Sequence, residues 1–513
     1  MKIFNQTQKR FVIALVVITL ISATSGCKKF LDTNRQGQYT AENYPYPGGS
    51  GPYDTFLFAA YNDLRGFDIH CLSFFYATSV RSEDAEKGST ASDGGADALS
   101  MDNFPVLPSN SIVNGMWNGY FGFITKCNTS LDQIANNKDI TATDAQKIQA
   151  EAEARFLRGY AYFNLVRVFG RVPLIDKVLT VAQTNVPQSS SAQIYAFIEA
   201  DLQFAAANLP LVWDKKFVGR ANKGMANGIL AKVYLTQQKW GQAMATANTV
   251  MTSGQYDLST PYDKIFGESG ENSKESVFEV QATASASVPT ANGVQINQYT
   301  GVRDAGIWNL GYGFNVPSPV LEAAYEPGDP RKARTILYRS TATTTYKTVY
   351  GENTATTWIN PMYNHKVYSN PAMRAAYGSN SSWWMNIRIL RYADVVLMYA
   401  EAANEVGGAA NTTAALAAVN SIRARARNGN AAILPNITTT DQAALRAAIH
   451  FERRIELAME YDRFFDLVRW GEAQATLNAA GKTNFSASRD SLFPIPQTQI
   501  DLSKGVLTQN PGY

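Results

Sequence analysis

Histidines, cysteines and catalytic signatures are scarce in this chain, and each shortage excludes something. In 513 residues there are three histidines, His70, His365 and His450, far apart and outside any metal-ligand spacing. No HExxH, GxSxG, P-loop or Rossmann pattern occurs. The many Asp and Asn loops leave room for a structural calcium, but no segment has an EF-hand pattern, and no metal or other cofactor is expected. Of the three cysteines, Cys71 and Cys127 lie in the body of the chain. They form either a disulfide, as an oxidising compartment permits, or two buried thiols. Long apolar runs are missing too: 11–21 is about half the roughly 20 residues that span a bilayer, and nothing after it comes near. Excess charge is also lacking. The formal +3 comes from 46 Lys and Arg against 43 Asp and Glu. Without residues 1–26 the counts are 43 and 43, so nothing supports nucleic-acid binding, which needs a clustered basic surface.

What is present begins with an address. Lys2, Lys9 and Arg10 precede the apolar run, and Thr24-Ser25-Gly26 leads into Cys27. Residues 1–26 read as a secretory signal peptide, excluded from the fold. Small residues directly before a cysteine read as a lipobox, with Cys27 the lipidated residue, although Thr24 stands where an aliphatic residue is usual. Two acyl chains already give stable membrane attachment. Residues 27–55, rich in Gly, Pro and polar side chains, read as a lipidated tether that leaves the membrane and then wraps the body.

The body is long enough to bury a large core. Helical periodicity covers 149–169, part of 187–209, and a pair within 222–254. In that pair Leu230, Ala231 and Tyr234 share one helix, and Ala243, Ala247 and Val250 the next. Large residues in one layer and alanines at the crossing let antiparallel helices approach closely, as in tetratricopeptide repeats. The plan recurs at 391–405 and 412–426. Trp117 begins another helical pattern and reads as structural. Domain limits follow: a helical repeat region at 56–281 with an inserted loop-rich segment, an aromatic loop region at 282–386, and a C-terminal helical region at 387–513. The fold expected is mainly α, with tetratricopeptide-like repeats packed against an irregular loop-rich ligand-binding region and few short strands. One such strand is expected at 276–281, and a hairpin or disordered loop at 341–357.

The loop region concentrates aromatic residues among Gly, Asn and Ser, and long irregular segments are usually functional. Trp308, Tyr312, Trp383 and Trp384 are the candidate ligand-binding residues. Phe74 and Tyr76, from an earlier loop-rich segment at 67–111, are weaker candidates. Rings on loops suit a sugar, whose C–H faces stack on an apolar ring while polar neighbours bind its hydroxyls. A glycoside hydrolase is the enzymatic alternative, and Glu322, Glu326 and Asp329 are the nearby carboxylates. That stretch reads better as a helix end, with Pro327, Gly328 and Pro330 as the breaks. No catalytic residue is assigned.

The segment 451–471, FERRIELAMEYDRFFDLVRWG, reads as an amphipathic helix with an anomalous charge pattern. Glu452, Glu456 and Glu460 lie four apart, where like charges repel by about 0.2–0.5 kcal/mol per pair. Either this is a solvated face, or cations meet the stripe within the fold: Arg453, Arg454 and Arg463, or basic groups on neighbouring helices. The crowding aromatics favour the second. This segment, RILRYADVVLMYAEAANE at 388–405 and LFPIPQTQIDLSKGVLTQNPGY at 492–513 together resemble the signatures of the SusD/RagB family of outer-membrane nutrient-binding lipoproteins. With the lipobox, the resemblance runs from Cys27 to Tyr513. It implies a mainly helical, non-enzymatic binding protein, lipid-anchored at the outer membrane and facing the cell exterior. Its partners would be a glycan ligand and a SusC-type TonB-dependent transporter. A peptide-binding member of the family and a purely structural repeat scaffold remain as alternatives.

Overall fold

In a computed structural model of the chain, which describes residues 51–284 and 292–513, five of the long helices begin where short polar side chains meet the first free N–H groups. The main helices are α1 (Asp54–Asp63), α2 (Ser111–Asn136), α3 (Asp144–Phe169), α4 (Ser191–Asn208), α5 (Lys223–Thr236), α6 (Trp240–Met251), α7 (Tyr392–Val406), α8 (Ala409–Arg427), α9 (Gln442–Glu456) and α10 (Arg463–Trp470). Thr143 and Ser190 close capping boxes with Gln146 and Gln193 at α3 and α4. Asn110, Asn222 and Asp441 accept from the first turns of α2, α5 and α9. These caps fix where those five helices start.

Helices α2 to α9 form one array in which each packs on the next. Small side chains permit the close passages. Ala243 and Ala247 of α6 are fully buried where α6 meets α7, and Ala400, Ala415 and Ile422 fill the space between α7 and α8. Trp117 is buried against Phe169, ring centroids 5.1 Å apart. The helix pairs and the strand read from periodicity are present. The fold is mainly α with few short strands, as expected.

The array has one long interruption. Helix α6 ends at Met251 and its packing partner α7 starts at Tyr392. The chain between them makes an excursion whose neck is a bulged antiparallel pair, β2 (Ser276–Val280) with β6 (Ile387–Arg391). Helix α5 lies directly against this neck: a Cβ at Gly228 would sit 2.4 Å from Leu390 Cδ2. Two further pairs brace the excursion. β1 (Ala85–Gly88) joins β3 (Phe314–Pro317), and β4 (Ile336–Tyr338) joins β5 (Met362–Asn364). The segment 341–357 is a hairpin, with Lys347 bridged to Asn353 and Thr354 N–H donating to Tyr346 O at 2.9 Å.

The glutamate stripe is an internal ion-pair lattice, and its geometry corrects the reading of 451–471 as one helix. Helix α9 stops at Glu456, and α10 starts at Arg463. Between them Met459 and Tyr461 adopt φ of +64° and +72°, the left-handed region that costs a side-chain-bearing residue roughly 1–2 kcal/mol. The break turns Glu460 inward, where it meets Arg391 at 2.6 Å and Lys366 at 2.5 Å. Glu452 and Glu456 are fully buried. Arg331 meets both, at 2.5 and 3.2 Å, and Arg423 meets Glu452 at 2.9 Å. Arg391 and Arg425 meet Glu456 at 3.0 and 2.5 Å. The cations thus come from other elements. Arg453 turns to Asp394 and Asp466, Arg454 to Asp84, and Arg463 to Glu83.

Cys71 and Cys127 are separate buried thiols, and burial pushes both pKa values up. Neither should react with a thiol reagent until the chain unfolds, which alkylation across a urea gradient checks. Breaking the lattice should be costly, because removing one partner leaves buried charge uncompensated. Glu456→Gln should lower unfolding stability by about 3–5 kcal/mol, whereas Glu472→Gln, half exposed, should stay within about 0.5 kcal/mol. Burial alone would raise the Glu456 carboxyl, but Arg425, Arg391 and Arg331 pull it down to about 2. Its stabilisation is therefore full above the ordinary glutamate value of about 4.3 and lost as pH falls from there toward about 2. Chemical denaturation at a series of acid pH values should show that decline, and a flat profile would contradict it.

Candidate functional site

The excursion places its aromatic residues in two environments. Tyr368, Trp358, Tyr363 and Trp308 form a small core with Val302 and Leu310. Trp308 is 8 % exposed, its ring set edge-on to Trp358 with centroids 5.0 Å apart. Trp384 is also buried. Its ring packs on Tyr377, and its Nε1–H donates to Glu268 at 3.0 Å. Phe74 and Tyr76 lie in the main core, 4 % and 0 % exposed, Phe74 against His70 and Tyr461 and Tyr76 against Phe75 and Phe314. These four candidate residues present no ring face at the surface. Flanking Gly, Asn and Ser mark a loop correctly, but they do not say which way its ring points.

The other two candidates come together. Tyr312 is 43 % exposed and Trp383 half-buried. Gln298 links them: its carbonyl accepts from Tyr312 N–H at 2.9 Å, and its side-chain oxygen accepts from Trp383 Nε1–H at 2.8 Å. Val294 N–H donates to Trp383 O at 2.8 Å, so the 292–298 and 382–385 segments are held side by side. Tyr299 completes the group, edge-on to Tyr312 at 4.9 Å and to Phe67 at 5.3 Å, and both Tyr299 and Phe67 are half-buried. The result is a platform of rings whose orientations are fixed by hydrogen bonds and edge contacts.

A polar rim surrounds it. Arg65 donates to Asn292 O at 3.0 Å. Ser89 Oγ lies 2.6 Å from Tyr312 O and 2.7 Å from Asp93, and Arg303 reaches both Ser89 and Asp93. Hydrogen bonds from Thr90 and Ser89, then the Arg303 charge, hold the Asp93 carboxyl well below the usual range, so it stays an acceptor across ordinary pH. Arg303 and Asp93 keep about a third of their side-chain surface. Sequence reasoning missed Gln298, Arg65, Arg303 and Asp93. Tyr299 carried the aromatic signal but was not set apart from its neighbours.

Groups suited to catalysis are committed elsewhere. His70 is held by Leu64 O and Tyr160 OH and pushed down to about 4 by burial. His365 bonds Ala333 O and accepts from Val349 N–H, and His450 stacks on Trp470 at 3.6 Å. Glu326 is bound by Arg423 at 2.7 Å and Asp329 by Arg331 at 2.8 Å. Among the described residues no group of His, Cys, Asp and Glu is placed to hold a metal, and no helix is long and apolar enough to cross a membrane. Cys27 and the tether up to residue 50 lie outside the described residues, whereas 51–55 belong to the body and not to a tether: Tyr53 and Asp54 are buried, and α1 begins at Asp54.

A helical array carrying one loop-built aromatic platform defines the class: a helical-repeat binding scaffold. Comparison narrows it. The SusD family profile matches residues 274–513, and a second profile, described as starch-binding associating with outer membrane, matches 77–235. A SusD-like protein of Formosa agariphila, P2, is 30% identical over 432 residues, covering 80% of this chain and 83% of that one. Among solved structures, a laminarin-binding SusD-like protein is 29% identical with a TM-score of 0.75, covering 90% of this chain and 99% of its own. Surface glycan-binding protein A from Bacteroides fluxus is 26% identical with a TM-score of 0.76, covering 91% and 100%. The chain belongs to the SusD/RagB family.

The two environments predict opposite responses to truncation. Trp308→Ala should destabilise by about 3–5 kcal/mol, while Tyr312→Ala should change stability by no more than about 0.5 kcal/mol. Urea unfolding of the two variants checks this, and equal losses would contradict the placement.

Proposed function

We propose that this protein is a cell-surface glycan-binding lipoprotein that captures oligo- or polysaccharide and delivers it to a SusC-type TonB-dependent transporter in the outer membrane. The observation that carries the reading is the ring platform of Tyr299, Tyr312 and Trp383, locked by Gln298 and rimmed by Arg65, Arg303 and Asp93. Sugar rings offer C–H faces to such rings and hydroxyls to such a rim. Relatives named for laminarin and surface-glycan binding, and a family description naming starch and the outer membrane, support the same ligand class. On this reading residues 1–26 are the signal peptide and Cys27 carries the lipid. The helical array would supply much of the transporter contact.

Binding without turnover is part of the proposal. Glycoside hydrolysis needs two carboxylates flanking the sugar, and Glu326 and Asp329 are already engaged by guanidinium groups. The ligand would leave the platform unchanged, and the partner transporter would supply the energy for uptake.

The test is binding of soluble residues 28–513 to laminarin, starch, their oligosaccharides and peptide digests, with product release followed in the same samples. Retention of one glycan class without shortening is expected. Tyr312→Ala and Trp383→Ala should each weaken it about tenfold, as loss of roughly 1.4 kcal/mol of ring contact implies. Shortened glycan would make the protein an enzyme, and retention of peptides alone would change the nutrient. Undiminished glycan binding by both variants would move the site.

A further inference from the structure

A cavity lies apart from the platform. A cleft of about 560 Å³ opens between the loop after α4 and the approach to β2, a size typical of ligand pockets, which run from about 300 to 1,000 Å³. Three rings line it, Trp213, Tyr256 and Phe217, the last edge-on to Trp213 at 5.9 Å, and the first two carry the polar handles. Both are held rigidly. Trp213 Nε1–H donates to Ala221 O at 2.8 Å, and the Arg220 guanidinium covers the ring at 4.7 Å. Arg220 is itself fixed by the buried carboxylates of Asp54 and Glu153, at 2.9 and 2.8 Å. Tyr256 lies on Gly224, where a Cβ would come 2.2 Å from its hydroxyl, and that hydroxyl bonds Asn222 at 3.2 Å. Polar groups edge the cleft: Asn272, Lys274 and Gln255. This is the construction of the platform repeated with other residues.

The cleft also runs toward the platform. A second hollow, of about 220 Å³, shares Val218, Gly219, Arg220 and Glu279 with it and extends to Arg65 and Gln281. Gly219, at φ +91°, makes the junction: a Cβ there would meet Gln281 Cγ at 2.1 Å. Gln281, which lines the second hollow, and Asn272, which lines the first, exchange side-chain amide bonds at 2.9 and 3.0 Å. Arg65 closes the far end and reaches Asn292, in the segment packed on Trp383.

We propose that the Trp213–Tyr256 cleft is a second subsite, which takes a distal portion of the same glycan chain whose other portion rests on the Tyr312–Trp383 platform. The inference rests on the glycan-binding reading. Two sites on one ligand multiply through effective concentration, so affinity rises with chain length once both are spanned.

The experiment uses soluble residues 28–513 and laminari- and malto-oligosaccharides from disaccharide to decasaccharide, titrated by calorimetry. Wild-type affinity should step up between short and long members of the ladder that binds. Trp213→Ala should lose about tenfold or more for the long members only, while Tyr312→Ala loses affinity for all lengths. Thermal melting shows whether Trp213→Ala is folded. As a second readout, amide exchange on the unmodified protein should slow at 211–219 and 272–281 with long ligands and not with short ones. Glycan binding with no length step, or with no protection at those segments, would overturn the subsite and leave the platform standing. Absence of binding to every oligosaccharide would overturn both.

Discussion

Buried charge at the end of α9 is the constraint on which the rest of this structure depends. Glu452, Glu456 and Glu460 collect Arg331 and Lys366 from the excursion, Arg391 from its neck, and Arg423 and Arg425 from α8. Glu275, just before β2, joins through Arg391 at 2.6 Å. Such a lattice need not exceed well-packed apolar side chains in net stability, because desolvation offsets much of its Coulombic gain. What it does is exclude alternatives. Any arrangement that displaced the excursion from the helical array would strand several buried ions at once. The left-handed turns at Met459 and Tyr461 are tolerated in the same way, since the break they make is what delivers Glu460 to Arg391 and Lys366.

That rigidity reaches the platform through short steps. The neck strand β6 follows directly from Trp383 and Trp384, consecutive residues with opposite fates. Trp384 is anchored inward on Glu268, which also accepts from Tyr350 OH and Asn370 N–H. Trp383 is left at the surface, its orientation set by Gln298. A buried ring fixing the backbone beside an exposed one is an economical way to preorganise a binding face, because the exposed ring has little freedom left to lose on binding.

Much of the fold was legible in the sequence because its signals are local. Alanines at helix crossings and the 3.6-residue period act within one or two turns, so the helices α3 to α8 are readable. The glutamate stripe was legible as an anomaly, and its resolution as internal ion pairs follows from the same like-charge argument. Which cations answer it was not legible, since Arg331, Lys366 and Arg391 lie between 61 and 129 residues upstream. The break at Glu456 was hidden too: Met459 and Tyr461 have no sequence preference for the backbone they adopt. The proposed site was half legible. Of the residues that loop composition singled out, the fold leaves Tyr312 and Trp383 with exposed ring surface, but ring direction is a tertiary property, and Trp308, Trp384, Phe74 and Tyr76 point inward.

The neck has an evolutionary corollary. Because α6 and α7 pack on each other across the excursion, and β2 and β6 bring its two ends together, the helical array does not register how much chain hangs beyond them. Doubling a flexible loop adds only about 0.6 kcal/mol of closure entropy. The excursion is thus an exchangeable cassette. A lineage can lengthen, shorten or replace it to meet a new ligand, provided the newcomer still presents cations where Arg331 and Lys366 now dock and a strand where β3 now pairs with β1.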